Sequence, residues 1–323
     1  MKLRRRTTSN REAADGPRID AESVLSIRGL RITYGNGGMA LRGVDLEVRS
    51  GECVALVGES GSGKTTLARA VVGLLPRSAR ARGSVRLGER EMLGLSDREW
   101  RKLRGRTVGF VSQDPFAACD PLRSVGHHVE ESWRVHGDRR PPANHLDRLA
   151  ELGIPHPKEM LRDRPHQWSG GMLQRATTVA ASMYDPPLLV ADEPTSALDA
   201  ELADGVLTSL RRAGRSVLLV CHDLDLAAKH SDRIAVMYAG RIVEERDSSQ
   251  PGQPRHPYSR ALLAATPSGG GGLPKELPGT APGPLEVLQG CAFAGRCTHA
   301  GDLCTISTPM LVDDVACHME HSR

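Results

Sequence analysis

Nine residues, Gly58 to Thr66 with the sequence GESGSGKTT, constrain this chain more than any other stretch. They lie between the apolar run Cys53 to Val57 and the helix-favouring run Leu67 to Val72, which is the strand, loop and helix context of a phosphate-binding loop. The spacing fits throughout: Gly58, four residues, then Gly63, Lys64 and Thr65. Such a loop wraps closely round a phosphate chain with its backbone N–H groups turned inward, and a Cβ would block the approach or the backbone angle. Lys64 then supplies a point charge at the β and γ phosphates, and the Thr65 hydroxyl a ligand for the accompanying magnesium. Ser60, Gly61, Ser62 and Thr66 complete the cradle.

A chain of 323 residues, 39% hydrophobic and 25% charged, has room for one large domain and a smaller one. Its net charge of +4 gives no ground for a nucleic-acid or membrane-surface partner. The locally basic start, with Lys2, Arg4, Arg5, Arg6 and Arg11, reads as a solvated, disordered tail over residues 1–22. No apolar stretch follows it as in a secretory signal, and no segment approaches the ~20 apolar residues of a membrane helix. The expectation is a cytosolic protein that reaches a membrane only through partners. Its seven cysteines are then expected as metal ligands or inert thiols rather than disulfides.

Val24 to Tyr34 and Leu41 to Val48 read as strands around a Gly-rich turn, an antiparallel layer ahead of the loop. Tyr34 either stacks on an adenine or closes its strand by packing. Gly83 to Leu87 and Thr107 to Val111 are further strands, and Ser96 with Glu99 forms a capping box for a helix through Arg104. Gln113 stands at a strand end, before Pro115. Residues 116–185 then change character: Val125 to Val135, Asn144 to Leu152 and Met172 to Met183 read as helices between Pro-rich breaks, a helical insertion. Ahead of the last of them, Ser169, Gly170 and Gly171 leave free N–H groups at the positive end of a helix dipole, which makes a second anion site. A turn between helices is the alternative.

Leu188 to Ala191 is a buried parallel strand that ends in Asp192 and Glu193. Burying consecutive carboxylates at a strand end is costly unless they meet a cation or a reacting group. The favoured reading puts Asp192 toward magnesium and Glu193 toward an attacking water, with a solvent-facing turn as the alternative. Ser196 to Asp199 caps the next helix. Ser216 to Val220, another buried strand, delivers Cys221, His222 and Asp223 to the same edge, and Ile234 to Met237 with Arg241 to Glu245 forms a closing hairpin.

Taken in order, Tyr34, GESGSGKTT, Gln113, the Ser169-Gly170-Gly171-Met172 turn, LLVADEPT, Ser196 to Asp199 and His222 resemble the nucleotide-binding subunits of ABC transporters, over roughly Val24 to Arg246. The resemblance implies an α/β P-loop NTPase with an antiparallel β subdomain, a helical subdomain over about residues 114–185 and ATP hydrolysis with Mg2+. It implies a head-to-tail dimer in which each ATP lies between the phosphate loop of one subunit and the Ser169, Gly170 and Gly171 turn of the other, with Asp199 also at the nucleotide. Glu193 would deprotonate water, Gln113 would report on magnesium and water, and His222 would brace the γ-phosphate. Trp168 stands where leucine is more usual, which would put a bulky ring near the dimer seam.

Beyond a nucleotide-binding domain at residues 23–255, His256 to Leu263 resembles a short motif of the ATPase subunits of peptide and nickel permeases. Alone it would be a Pro-initiated surface helix. A flexible spacer at Ser268 to Gly272 and a Pro/Gly stretch from Leu273 to Pro284 lead to Cys291, Cys297, Cys304 and Cys317, spaced by five, six and twelve residues. So apolar-poor a tail needs a staple. The spacing is looser than that of most zinc sites and compatible with four thiolates on an iron–sulfur cluster. Resemblance to peptide-permease tails favours 4Fe–4S, with zinc or no metal as alternatives.

Cys53, Cys119 and Cys221 read as inert or partner-facing thiols. The resemblance as a whole implies the ATPase of an importer for di- or oligopeptides or nickel-type chelates, at the cytoplasmic face of the cell membrane. Its partners would be a sister ATPase, implied by Met172, two membrane permease subunits, with Phe116 and Leu122 in the groove that receives them, and indirectly an extracytoplasmic binding protein. An exporter subunit or a soluble ABC ATPase is the alternative, and no nucleic acid is expected.

Overall fold

The computed structural model describes residues 23–137, 144–196, 198, 200–213, 216–249, 253–266 and 277–320. The basic start, Ala197, Asp199 and the glycine spacer lie outside them. Among the described residues ten strands run in chain order as β1 (Ser23–Thr33), β2 (Met39–Arg49), β3 (Cys53–Val57), β4 (Arg80–Leu87), β5 (Arg90–Glu91), β6 (Val108–Val111), β7 (Leu188–Asp192), β8 (Ser216–Val220), β9 (Arg233–Tyr238) and β10 (Arg241–Asp247). They form a four-stranded antiparallel sheet in the order β2-β1-β4-β5 and a six-stranded sheet in the order β10-β9-β3-β8-β7-β6.

The two sheets differ because their sequences do. In β1, Leu25, Ile27, Leu30 and Ile32 are buried, with more accessible residues among them, so one face only meets the core. By contrast β3, β7 and β8 are buried at every position, as continuous apolar runs in a parallel sheet should be. Parallel pairing of β3 with β8 and of β8 with β7 sets their C-terminal ends side by side. Val57, Asp192 and Val220 therefore release the phosphate loop, Glu193 and His222 along one sheet edge.

The helical insertion has its own core, in which Val125, Val129, Trp133, Leu149, Leu161 and Leu173 are buried together. The helix expected over Val125 to Val135 is two, Val125–Val129 and Glu131–His136, joined at Glu130. The last helix, Gly170–Ser182, begins two residues earlier than expected because Ser169 caps it, its side chain accepting from the Met172 N–H. Trp168 is only 4% exposed and belongs to the buried cluster of the helical insertion.

The region after residue 255 docks on the preceding domain. Tyr258, Leu262 and Phe293 enter the apolar cluster on one face of the six-stranded sheet, with Val57, Leu189 and Leu219. Main-chain bonds join Glu245 N–H to Asp314 O and Ala316 N–H to Val243 O, so this segment runs along the outer edge of β10. The buried Glu244 carboxylate accepts from Arg255 and His256 N–H at 2.7 and 3.0 Å. His256 in turn caps the helix Pro257–Ala265, its Nδ1 accepting from Tyr258 N–H at 3.0 Å. The described part of the Pro/Gly stretch that follows the spacer is seated on the core, with Met39 N–H donating to Pro284 O at 2.7 Å.

Burial pushes His256 down from 6.5 to about 4, and its ring also hydrogen-bonds the Ala316 backbone. Protonating Nδ1 would abolish the cap. Because the folded state resists a proton that the unfolded chain accepts, stability is full above the unfolded value and falls as the pH drops through the window toward about 4. Thermal or urea unfolding should register a loss of about 2 kcal/mol by about pH 5. His256→Asn, which keeps an acceptor at the cap, should flatten that dependence.

Candidate nucleotide-binding site

Two glycines allow the loop after β3 its course. Gly58 has φ +154° and Gly63 φ +111°, and a Cβ on Gly63 would stand 2.8 Å from Ala40 O. Lys64, the first residue of the helix Lys64–Val71, folds its Nζ back onto Gly58 O and Glu59 O at 2.8 and 3.0 Å. The side chain is 4% exposed, and its Nζ lies 3.7 Å from Glu193 Oε1. Burial lowers its pKa, while Glu193 and Asp192 oppose that shift. Those neighbouring carboxylates help to offset the cost of burying an ammonium in the free cradle.

Thr65 Oγ1 donates to Asp192 Oδ1 at 3.0 Å. Asp192 is buried, and burial pushes its carboxyl above the ordinary range, with the Thr65 hydrogen bond opposing. Glu193 has φ +45°, and this left-handed turn takes it out of the strand. Its backbone N–H donates to Val220 O at 3.0 Å, while Gln113 Nε2 donates to its Oε2 at 3.1 Å. His222 Nδ1 lies 4.0 Å from the same oxygen. One carboxylate thus faces a lysine, an amide and an imidazole. Tyr34 and Thr66 share a hydroxyl hydrogen bond of 2.9 Å, which seats the aromatic ring beside the loop.

A cavity of about 330 Å3 lies over these groups, lined by Tyr34, Ser60, Gly61, Gly63, Lys64, Thr65, Thr66, Gln113 and Glu193. Gly58, Ser62 and Asp192 are outside that lining, and the Ser62 hydroxyl is buried without a hydrogen-bond partner. His222 and the Ser169, Gly170 and Gly171 turn do not line it either, and Asp199 lies outside the described residues. Sequence reasoning missed Met39, Ala40, Arg42, Ala239, Gly240 and the Pro282–Pro284 segment, all of which form walls. Nothing local marks them, since they come from the start of β2, a hairpin tip and a Pro/Gly stretch. The oxygens of Thr65, Asp192 and Gln113 are a donor set suited to a hard cation such as Mg2+.

The four tail cysteines lie near enough to one another for their charges to interact. Cys291, Cys297, Cys304 and Cys317 are free thiols, and among the described residues no three His, Cys, Asp or Glu side chains form a group that could hold a metal. Phe293, Val315 and Ala316 anchor the tail by burial. Burial pushes the Cys291 and Cys297 thiols up. It pushes Cys119 and Cys221 up to about 11, which leaves those two as weakly reactive thiols.

The fold and this edge together define an ATP-binding cassette of the ABC type. Residues 41–196 match the ABC transporter family, and residues 244–304 match the family described as "Oligopeptide/dipeptide transporter, C-terminal region". The chain belongs to the ATP-binding proteins of oligopeptide and dipeptide ABC transporters. It is 38% identical to the probable peptide ABC transporter ATP-binding protein y4tR of Sinorhizobium fredii, over 90% of this chain and 92% of that one. Identity to the dipeptide transport ATP-binding protein DppD of Bacillus subtilis is 37%, over 88% and 89%. With the oligopeptide transport ATP-binding protein OppD of Mycobacterium tuberculosis it is 39%, over 91% of this chain and 51% of that protein, so the chain spans about half the length of that relative. Among solved structures, the dimeric ATP-binding cassette MJ0796 in a post-hydrolysis state with ADP and Pi matches with a TM-score of 0.61 at 27% identity, over 70% of this chain and 100% of that one.

Gly63→Ala should cost about 1–3 kcal/mol locally, because the site demands both a positive φ and closeness to Ala40 O. Titration with a fluorescent ATP analogue should register the loss of nucleotide binding while circular dichroism keeps the overall fold.

Proposed function

We propose that this chain is the ATP-hydrolysing subunit of an ABC importer for peptides. The observation that carries the reading is the convergence of Lys64, the Thr65–Asp192 pair, Gln113, Glu193 and His222 on one sheet edge. Phosphoryl transfer to water needs positioning and charge neutralisation more than covalent help. The loop amides and Lys64 hold the phosphates; to do so, Lys64 leaves the carbonyls of Gly58 and Glu59. Thr65, Asp192 and Gln113 would hold Mg2+, which would neutralise charge on the phosphate oxygens. Glu193, oriented by Gln113, takes the proton of the attacking water, and His222 braces the terminal phosphate.

The Ser169, Gly170 and Gly171 turn opens a helix of 13 residues but does not line the chain's own cavity. Its free N–H groups and dipole are therefore available to a nucleotide held by another subunit. We assign the partner as a sister ATPase in a head-to-tail heterodimer, with Asp199 contributing at the nucleotide. Among the described residues no helix is long and apolar enough to cross a membrane. Two permease subunits would attach the dimer to the cytoplasmic face of the membrane and connect it to an extracytoplasmic binding protein, with the exposed Phe116 and Leu122 in the docking groove. The tail family and the relatives' peptide names favour di- or oligopeptides over nickel-type chelates.

Glu193→Gln should reduce ATP turnover in the assembled complex by at least about 100-fold while leaving ATP binding intact. Near-normal hydrolysis by that variant would remove Glu193 as the base.

A further inference from the structure

Glu59, the second residue of the phosphate loop, is gripped by the C-terminal extension at two points. Its N–H donates to the Tyr258 hydroxyl at 2.8 Å. Its carboxylate receives both guanidinium arms of Arg296, at 2.7 and 3.0 Å. Its carbonyl is meanwhile one of the two that hold Lys64 Nζ. One residue of the loop thus joins the extension to the lysine that meets the phosphates.

Arg296 is built for this position. Its side chain is only 7% exposed, and its Nε donates to Pro278 O at 2.7 Å while Nη1 also reaches the Tyr238 hydroxyl at 3.2 Å. A planar fork on a carboxylate fixes orientation as well as distance, which an ammonium cannot do. From the same strap, the Pro282–Pro284 segment forms a wall of the nucleotide cavity. Arg42 secures that wall by donating to Glu286 O at 2.9 Å.

We propose that the C-terminal extension is a working part of the nucleotide site: Arg296 and Tyr258 are positioning residues that set the phosphate loop through Glu59, and Pro282–Pro284 complete its wall. ATP affinity then depends on the extension being docked. The proposal rests on the loop binding nucleotide, and not on which substrate is transported or which sister subunit is present.

The test uses the full chain and a fluorescent ATP analogue with Mg2+. Arg296→Met should raise the Kd about tenfold, and Arg296→Lys, which keeps the charge without the fork, should recover only part of that. The exchange Glu59→Arg with Arg296→Glu should restore affinity further. In the assembled complex the KM for ATP should rise with kcat nearly unchanged, a split that loss of general stability would not produce. Tyr258→Phe, which removes one hydroxyl and keeps the ring, decides the matter if the arginine variant fails to fold; it should also raise the Kd. Unchanged affinity in the folded variants would overturn the proposal and leave the extension as packing alone. Failure of the wild-type chain to bind the analogue would overturn the nucleotide site itself and the proposal with it.

Discussion

The parallel register of β3, β8 and β7 is the constraint on which the rest depends. It is held by side chains buried on both faces of all three strands, and nothing polar interrupts them until the strands end. The chemistry begins at that boundary. A lysine, a threonine, two acids and a histidine, drawn from three stretches of sequence up to about 160 residues apart, arrive together because their strands are neighbours. A shift of one residue in any strand would turn its acid or loop toward the other face of the sheet.

Within the edge, burial tunes what the residues do. Lys64 and Asp192 are both costly to keep charged, and each has partners that offset the cost: two carbonyls for the ammonium, a hydroxyl for the carboxylate. Both sets of partners are exchangeable for phosphate and metal. In the free site these groups are therefore held in place by their own partners until a nucleotide and its metal take those partners' places. Glu193 accepts a left-handed backbone to stand clear of the strand, a cost found where function dictates geometry.

Much of this was legible in the sequence, because the chemistry is carried by short local patterns. GESGSGKTT and the Asp192–Glu193 strand end announce themselves, and apolar runs of five residues predict the central strands. The antiparallel layer followed from alternation. What sequence could not supply was long-range contact. Pro282–Pro284 reads only as a Pro/Gly stretch, since proline and glycine carry no periodicity, yet it meets the start of β2 more than 240 residues earlier in the chain. Trp168 was legible as a departure from pattern but not as a core residue, because its direction depends on the helices around it. The cysteines invited a metal because the tail has little apolar content; Phe293 and a few partly buried neighbours pack on the sheet of the preceding domain, while Leu285, Val287, Ile306 and Met310 stay exposed.

The strip of backbone around Asp314 to Ala316 lies on the outer side of β10, where it pairs with Val243 to Glu245. A sheet margin left bare presents a row of donors and acceptors to any extended chain that meets it. By occupying that margin with its own distal segment, the molecule closes the six-stranded sheet against self-association on this side. Shortening the chain ahead of Asp314 would therefore do more than remove a peripheral ornament: it would open a template for intermolecular strand pairing, and solubility would be the first property to suffer.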